Sequence, residues 1–242
     1  MSKDDFGFDG ELGDLDLTLY ADAAELTEEV VAQILQSIDE GLSARTRFDM
    51  ALTGGTLGLT ISTKLVQIFN QDLSKFAGLH IWWSDERYVE SDSPDRNVKA
   101  FHGKLLNANV VVHEVLASDE SLDANSALLD YEKSLVDVNL DLVILGIGPD
   151  GHVASLFPGM ADIDDLRKVF LITDSPKPPP VRISFTMAMI NSSSKVWLVA
   201  TGESKADAVT KVIEADLTVP ASYVRGCDYT RLIVDTEAFF AE

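Results

Sequence analysis

Short apolar runs alternate with amphipathic segments along almost the whole chain, and this rhythm restricts the fold more than any other feature. Runs at residues 48–53, 79–83, 110–115, 140–145, 169–173, 196–200 and 231–234 are mostly rich in β-branched and aromatic side chains and bounded by Gly, Pro, Asp or Ser. They read as strands. Between them, residues 23–38 place Leu26, Val30, Val31, Ile34 and Leu35 on one helical face, and residues 57–69, 124–136 and 205–213 behave similarly. Strand and helix in strict alternation predict an α/β fold: a mainly parallel, Rossmann-like sheet flanked by helices. Sites in such sheets lie in the loops leaving the carboxyl ends of the strands. No internal repeat or long linker interrupts the pattern, so residues 1–242 read as one domain with a disordered leader over about residues 1–13.

Charge and cysteine content narrow the function classes. The 242 residues carry 19 basic and 40 acidic side chains, a formal net charge of −21. Polyanions need clustered Lys and Arg, so neither nucleic acid nor an anionic membrane is the expected partner. The single cysteine, Cys227, excludes an intrachain disulfide. The acidic start has no apolar stretch of the secretory type, and the longest uncharged stretch, residues 50–63, is too short and polar to span a bilayer. A soluble, cytoplasmic protein, monomeric or homodimeric, is the expectation. Four His and one Cys without paired spacing leave no metal site, and no cofactor is implied.

Three segments carry chemistry. Thr53-Gly54-Gly55-Thr56-Leu57-Gly58 follows a strand and opens a helical run; it is either a plain tight turn or a place where backbone N–H groups meet a phosphate. Ser84-Asp85-Glu86-Arg87-Tyr88 follows the Trp82-Trp83 strand and reads as a charged loop, with Pro94 to Asn97 starting another helix downstream. The most informative is Gly146 to Gly159, where glycines and prolines flank Asp150 and His152 directly after the most apolar strand. Asp150, two residues before His152, is placed to orient its ring, and histidine is the natural general base near neutral pH. Arg182 follows the Ser175 to Pro180 run, a rigid connector or lid edge; Lys205 sits at a glycine-led helix start; Arg225 follows Pro220-Ala221-Ser222.

Taken together, Thr53-Gly54-Gly55-Thr56, Asp85-Glu86-Arg87, Gly146 through Gly159, Arg182, Gly202 to Lys205 and Pro220-Ala221-Ser222 resemble the 6-phosphogluconolactonase family in order and spacing. Gly-Pro-Asp-Gly-His-x-Ala-Ser-Leu-Phe-Pro-Gly is the specific part. The first loop departs from the family's Ser-Gly-Gly-Ser-Thr-Pro: Thr53 and Thr56 keep the hydroxyls, while Leu57 and Gly58 remove one hydroxyl and a proline. Glucosamine-6-phosphate deaminase shares the fold, but its motifs read Asp-Glu-Tyr and Ala-Phe-Asn-Glu-Pro where this chain has Arg87 and Ser155-Leu156-Phe157-Pro158.

The resemblance implies a fold of the sugar-phosphate isomerase/CoA-transferase-like type. It also implies hydrolysis of 6-phospho-D-glucono-1,5-lactone to 6-phospho-D-gluconate in the oxidative pentose phosphate pathway. His152 would be the base, with Asp150 orienting it. Gly54, Gly55, Thr56, Arg87 and Lys205 would hold the phosphate, with Arg182, Asp85 and Gly151 also binding substrate. The alternatives are the deaminase, or a non-catalytic sugar-phosphate sensor, which would carry a basic DNA-binding segment not seen here. The few cations Arg87, Arg96, Arg182, Lys205 and Arg225 fall in or beside these loops, which predicts a positive pocket on a negative body.

Overall fold

The computed structural model describes residues 15–160 and 165–240; the expected leader lies outside them. Seven strands form the main sheet: β1 (Leu15–Tyr20), β2 (Phe48–Leu52), β3 (Leu79–Trp83), β5 (Val110–Val112), β6 (Leu142–Gly146), β9 (Lys195–Ala200) and β10 (Tyr229–Asp235). Their order is β1-β10-β9-β6-β2-β3-β5 and every pairing is parallel. The expected α/β class and mainly parallel sheet are therefore observed.

Both faces of the sheet's centre are buried, which is why β2, β3, β6 and β9 read as near-continuous apolar runs. Met50, Leu52, Ile81, Trp83, Ile144 and Trp197 point to one side, where α1 (Ala23–Ala44) and α2 (Gly55–Gln71) contribute Leu26, Ile34, Ile61 and Phe69. Their neighbours Ala51, Trp82, Val143, Leu145 and Leu198 point to the other. That face is covered by α3 (Ala124–Ser134) and α4 (Ala206–Ile213) through Tyr131 and Val209. Asp22 caps α1 by accepting from Ala24 and Glu25 N–H, and Asp123 caps α3 through Ser126 N–H. α2 has Gly54 at its N-cap and no side-chain cap, so its first amides are open.

A second, three-stranded antiparallel sheet was not expected. It joins β4 (Asp85–Arg87), β8 (Arg182–Phe185) and β7 (Val169–Ile172) in that order. Residues 85–87, read as a solvated loop, are thus a strand whose partner supplies Arg182 opposite Arg87. The helix expected from Pro94 is only a 3-10 turn, Asn97–Ala100. Its leading amides, Asn97 and Val98 N–H, are taken by the buried Glu86 carboxylate at 2.7 and 3.0 Å, and Asn97 also reaches Asp85. Those long-range bonds replace the helical ones. Among the described residues no helix is long and apolar enough to cross a membrane.

Candidate functional site

Strand order places the site. From β2 the chain builds outward to β3 and β5, then returns to the other side of β2 with β6, so the order reverses between β2 and β6. At such a switch point the loops diverge and leave a crevice. The loops are Thr53-Gly54-Gly55-Thr56 after β2 and Gly146 to His152 after β6. Between them opens a cleft of about 280 Å³, also lined by Asp85, Arg87, Lys177, Arg182 and Lys205.

His152 occupies the cleft wall with its side chain 18% exposed. Its Nδ1 lies 2.5 Å from Asp150 Oδ1, and among the described residues no hydrogen bond engages Nε2. An ionised carboxylate only accepts, so Nδ1–H donates to Asp150 and the Nε2 lone pair is open. Backbone geometry makes this contact possible. A β-carbon on Gly148 would fall 1.8 Å from His152 Nδ1 and 2.6 Å from Asp150 Oδ1. Phe157 backs the imidazole, ring centroids 4.7 Å apart. Burial lowers the His152 pKa from its ordinary 6.5; Asp150 and Asp85 oppose the shift and Lys177 adds to it. Burial would raise Asp150, but the His152 hydrogen bond and charge, with Lys177, hold it down at about 2. Both shifts favour a neutral imidazole on an anionic carboxylate at neutral pH, the state a general base requires.

Cations rim the cleft. Arg87 donates from Nη1 to Asp95 O, and its buried Nε has no hydrogen-bond partner. Burial and the nearby Lys177 charge depress the Lys205 pKa, with Asp150 opposing. Asp85 and Arg182 line the cleft but are largely engaged. Asp85 accepts from Ser155 Oγ at 2.7 Å and Asn97 Nδ2 at 3.0 Å. Arg182 donates to the carbonyls of Lys177, Pro178 and Pro179 at 3.0–3.1 Å and to Ser155 Oγ at 3.3 Å. It ties the 175–180 segment to the cleft wall.

Of the expected residues, Gly54, Gly55, Thr56, Asp85, Arg87, His152, Arg182 and Lys205 converge on the cleft, with Asp150 behind His152. Gly151 does not line it: at φ +78 it turns the loop and packs against Val219, while its carbonyl accepts from Ala221. Two expected cations lie elsewhere. Arg96 is buried 3.7 Å from Glu86 and Glu120 and donates to Val115 O. Arg225 is held by Asn191 and donates to Val224 O. Both neighbour the site loops in sequence, but neither side chain lines the cleft. Sequence reasoning missed Lys177, Asn97 and Ser155 as individual residues. Asn97 Nδ2 binds Asp85, while Gly54 leaves room for its amide: a β-carbon there would be 1.9 Å from Asn97 Oδ1.

A cleft at the switch point of a parallel sheet, with a carboxylate-oriented histidine and a rim of cations, holds the groups that general-base chemistry on an anionic substrate needs, in a protein of the α/β class. The model for the family described as glucosamine-6-phosphate isomerases/6-phosphogluconolactonase matches residues 21–233. The 6-phosphogluconolactonases of Mycobacterium tuberculosis and Streptomyces coelicolor are 35% and 32% identical to this chain, over 92% of it and 96% and 92% of their own lengths. The crystal structure of 6-phosphogluconolactonase from Thermotoga maritima superposes with a TM-score of 0.79 at 28% identity, covering 92% of this chain and 100% of that one. This chain belongs to the glucosamine-6-phosphate isomerase/6-phosphogluconolactonase family.

Proposed function

We propose that this chain hydrolyses 6-phospho-D-glucono-1,5-lactone to 6-phospho-D-gluconate, the lactone step of the oxidative pentose phosphate pathway. The observation that carries the reading is the His152 Nδ1–Asp150 Oδ1 contact of 2.5 Å inside a cleft rimmed by Arg87, Lys177, Arg182 and Lys205. The similarity to proteins named lactonases supports it over nearly the whole chain.

Nε2 of His152 takes a proton from water as the oxygen attacks the lactone carbonyl, and Asp150 stabilises the imidazolium that forms. The ring C–O bond then breaks, with the alkoxide recovering a proton from the imidazolium. General-base assistance of this kind contributes about a hundred- to ten-thousand-fold. No covalent intermediate is needed, and the chain has no Gly-x-Ser-x-Gly elbow. Arg87, with its unpartnered Nε, the open amides of α2 at Gly55 and Thr56, and Lys205 grip the phosphate. The amides of Gly148 and Gly151 are bonded within their loop, to His152 O and Gly148 O, so a cleft cation is left to meet the oxyanion. Asp85 and Arg182 shape the sugar's side of the cleft. The substrate is a small anionic lactone; the acidic body disfavours nucleic acid, and the protein acts in the cytoplasm as a monomer or homodimer.

The test generates the lactone in situ with glucose-6-phosphate dehydrogenase and follows its disappearance with and without the protein. Accelerated loss is expected. Ammonia release from glucosamine 6-phosphate without lactone hydrolysis would establish the deaminase instead, and binding of sugar phosphates without turnover would establish a sensor.

A further inference from the structure

Lys177 lies in the segment expected only as a connector or lid edge, yet its ammonium enters the cleft. Nζ is 3.0 Å from Asp150 Oδ1 and 3.1 Å from His152 Nδ1. One carboxylate oxygen therefore receives both the ammonium and the imidazole. The backbone of Lys177 is fixed as well: its carbonyl accepts from Arg182 Nη2 at 3.0 Å, and its N–H donates to Ser175 Oγ at 3.3 Å. The ammonium also sits 5.8 Å from the centre of Phe157, the ring that packs on His152.

Three groups in contact behave as one unit. An imidazolium at His152 would place two positive charges about 3 Å apart on a single carboxylate oxygen. A neutral imidazole donating from Nδ1 avoids that repulsion. The other tautomer would leave Nδ1 to accept from Lys177, lose the bond to Asp150 and block Nε2 with a proton. The remaining charged groups near the pair are Asp85, which favours a charged His152, and Lys205, which itself feels the charges of Lys177 and Asp150. Arg182 stands over Phe157, 5.7 Å from its ring centre.

We propose that Lys177 is a positioning residue of the catalytic pair: its ammonium shares Asp150 Oδ1 with the imidazole and keeps His152 neutral, with the Nε2 lone pair facing the cleft. The catalytic consequence rests on the lactonase reading; the electrostatic one does not. Without Lys177, Asp150 would hold a proton on His152 to higher pH, and the base would be lost over a wider acid range.

The test compares wild type with Lys177→Met, Lys177→Gln and Lys177→Arg. The His152 ring is titrated by NMR, its signal assigned by its loss in His152→Gln. Both neutral variants are expected to raise the His152 midpoint by at least about half a unit, and Lys177→Arg to stay near wild type. In the lactone assay, the acid limb of kcat/KM should move with the NMR midpoint, while KM changes little. An unmoved midpoint in both neutral variants would overturn the proposal. So would a raised KM with kcat and the acid limb unchanged, which would make Lys177 a phosphate ligand only. If wild type hydrolyses no lactone, the functional reading alone fails, and the titration still decides the role of Lys177. Lys177 is 39% exposed, so its replacement leaves the core intact.

Discussion

Gly148 and His152 occupy adjoining space so closely that a β-carbon on the first would stand 1.8 Å from Nδ1 of the second. Gly148 N–H also donates to His152 O at 2.8 Å. The loop thus folds back on itself, and glycine is the only residue that leaves room for the imidazole to reach Asp150.

Gly148→Ala is therefore expected to push the imidazole off Asp150 while leaving the sheet intact. Turnover should fall by at least about tenfold, since a base displaced by an ångström loses alignment with its water. Lactone hydrolysis by a variant with wild-type circular dichroism checks this; unchanged kcat would show that the pair tolerates the displacement.

His152→Ala should cut kcat by at least about a hundredfold with little change in fold. In wild type the His152 pKa lies below the ordinary 6.5, chiefly through burial. The base works when deprotonated, so kcat/KM should rise with pH through an apparent pKa below 6.5 and then level off. A pH–rate profile from acid to neutral pH is the measurement; an acid limb above 6.5 would contradict the environment described.

Arg87 and Arg182 should separate. Arg87→Gln and Lys205→Gln are expected to raise KM by about tenfold with kcat nearly intact, as for groups binding substrate and transition state alike. Arg182 is bonded to three carbonyls and faces the buried Asp85 at 3.7 Å. Arg182→Met leaves that carboxylate without its cation and should destabilise the fold by about 3 kcal/mol. Steady-state kinetics and urea unfolding distinguish the two behaviours.

A histidine pair outside the cleft should control acid stability. His80 Nδ1 lies 2.8 Å from His113 Nε2, and the Trp82 indole stacks on His113 at 3.6 Å. Burial, then the neighbouring His80 and Arg47, lower His113 to about 4, and burial lowers His80 too. The unfolded chain therefore binds more protons than the folded one once pH drops below the ordinary 6.5. Stability is complete above that value and is lost as pH falls toward about 4. Urea midpoints at neutral and mildly acid pH should differ less in His113→Gln than in wild type.

Much of the fold was legible because burial writes itself into composition. β2, β3, β6 and β9 lie beneath helices on both sides, so they appear as apolar runs, and α1 and α3 announce their starts with Asp22 and Asp123. β1 at the sheet edge was missed: Leu17 and Leu19 are exposed, and it is held by parallel pairing with β10. β4 was missed because Asp85-Glu86-Arg87 has the composition of a surface loop. Its carboxylates are paid for by partners up to 97 residues away in the chain, Arg182 facing Asp85 and Arg96 facing Glu86.

The sequence by itself determined the alternation that makes a parallel sheet, the glycine-rich turns after β2 and β6, and the Asp150–His152 pairing, since two residues of spacing confine them to one loop. Only the tertiary structure decided which cations share the cleft. Arg96 and Arg225 neighbour the motifs in sequence yet stay out of the cleft, while Lys177, from a proline-rich connector, reaches Asp150 and His152. The physical reason is range: hydrogen-bonded turns are local and visible in residue order. A charge, by contrast, finds its partner through the sheet topology that brings residues 150 and 177 together.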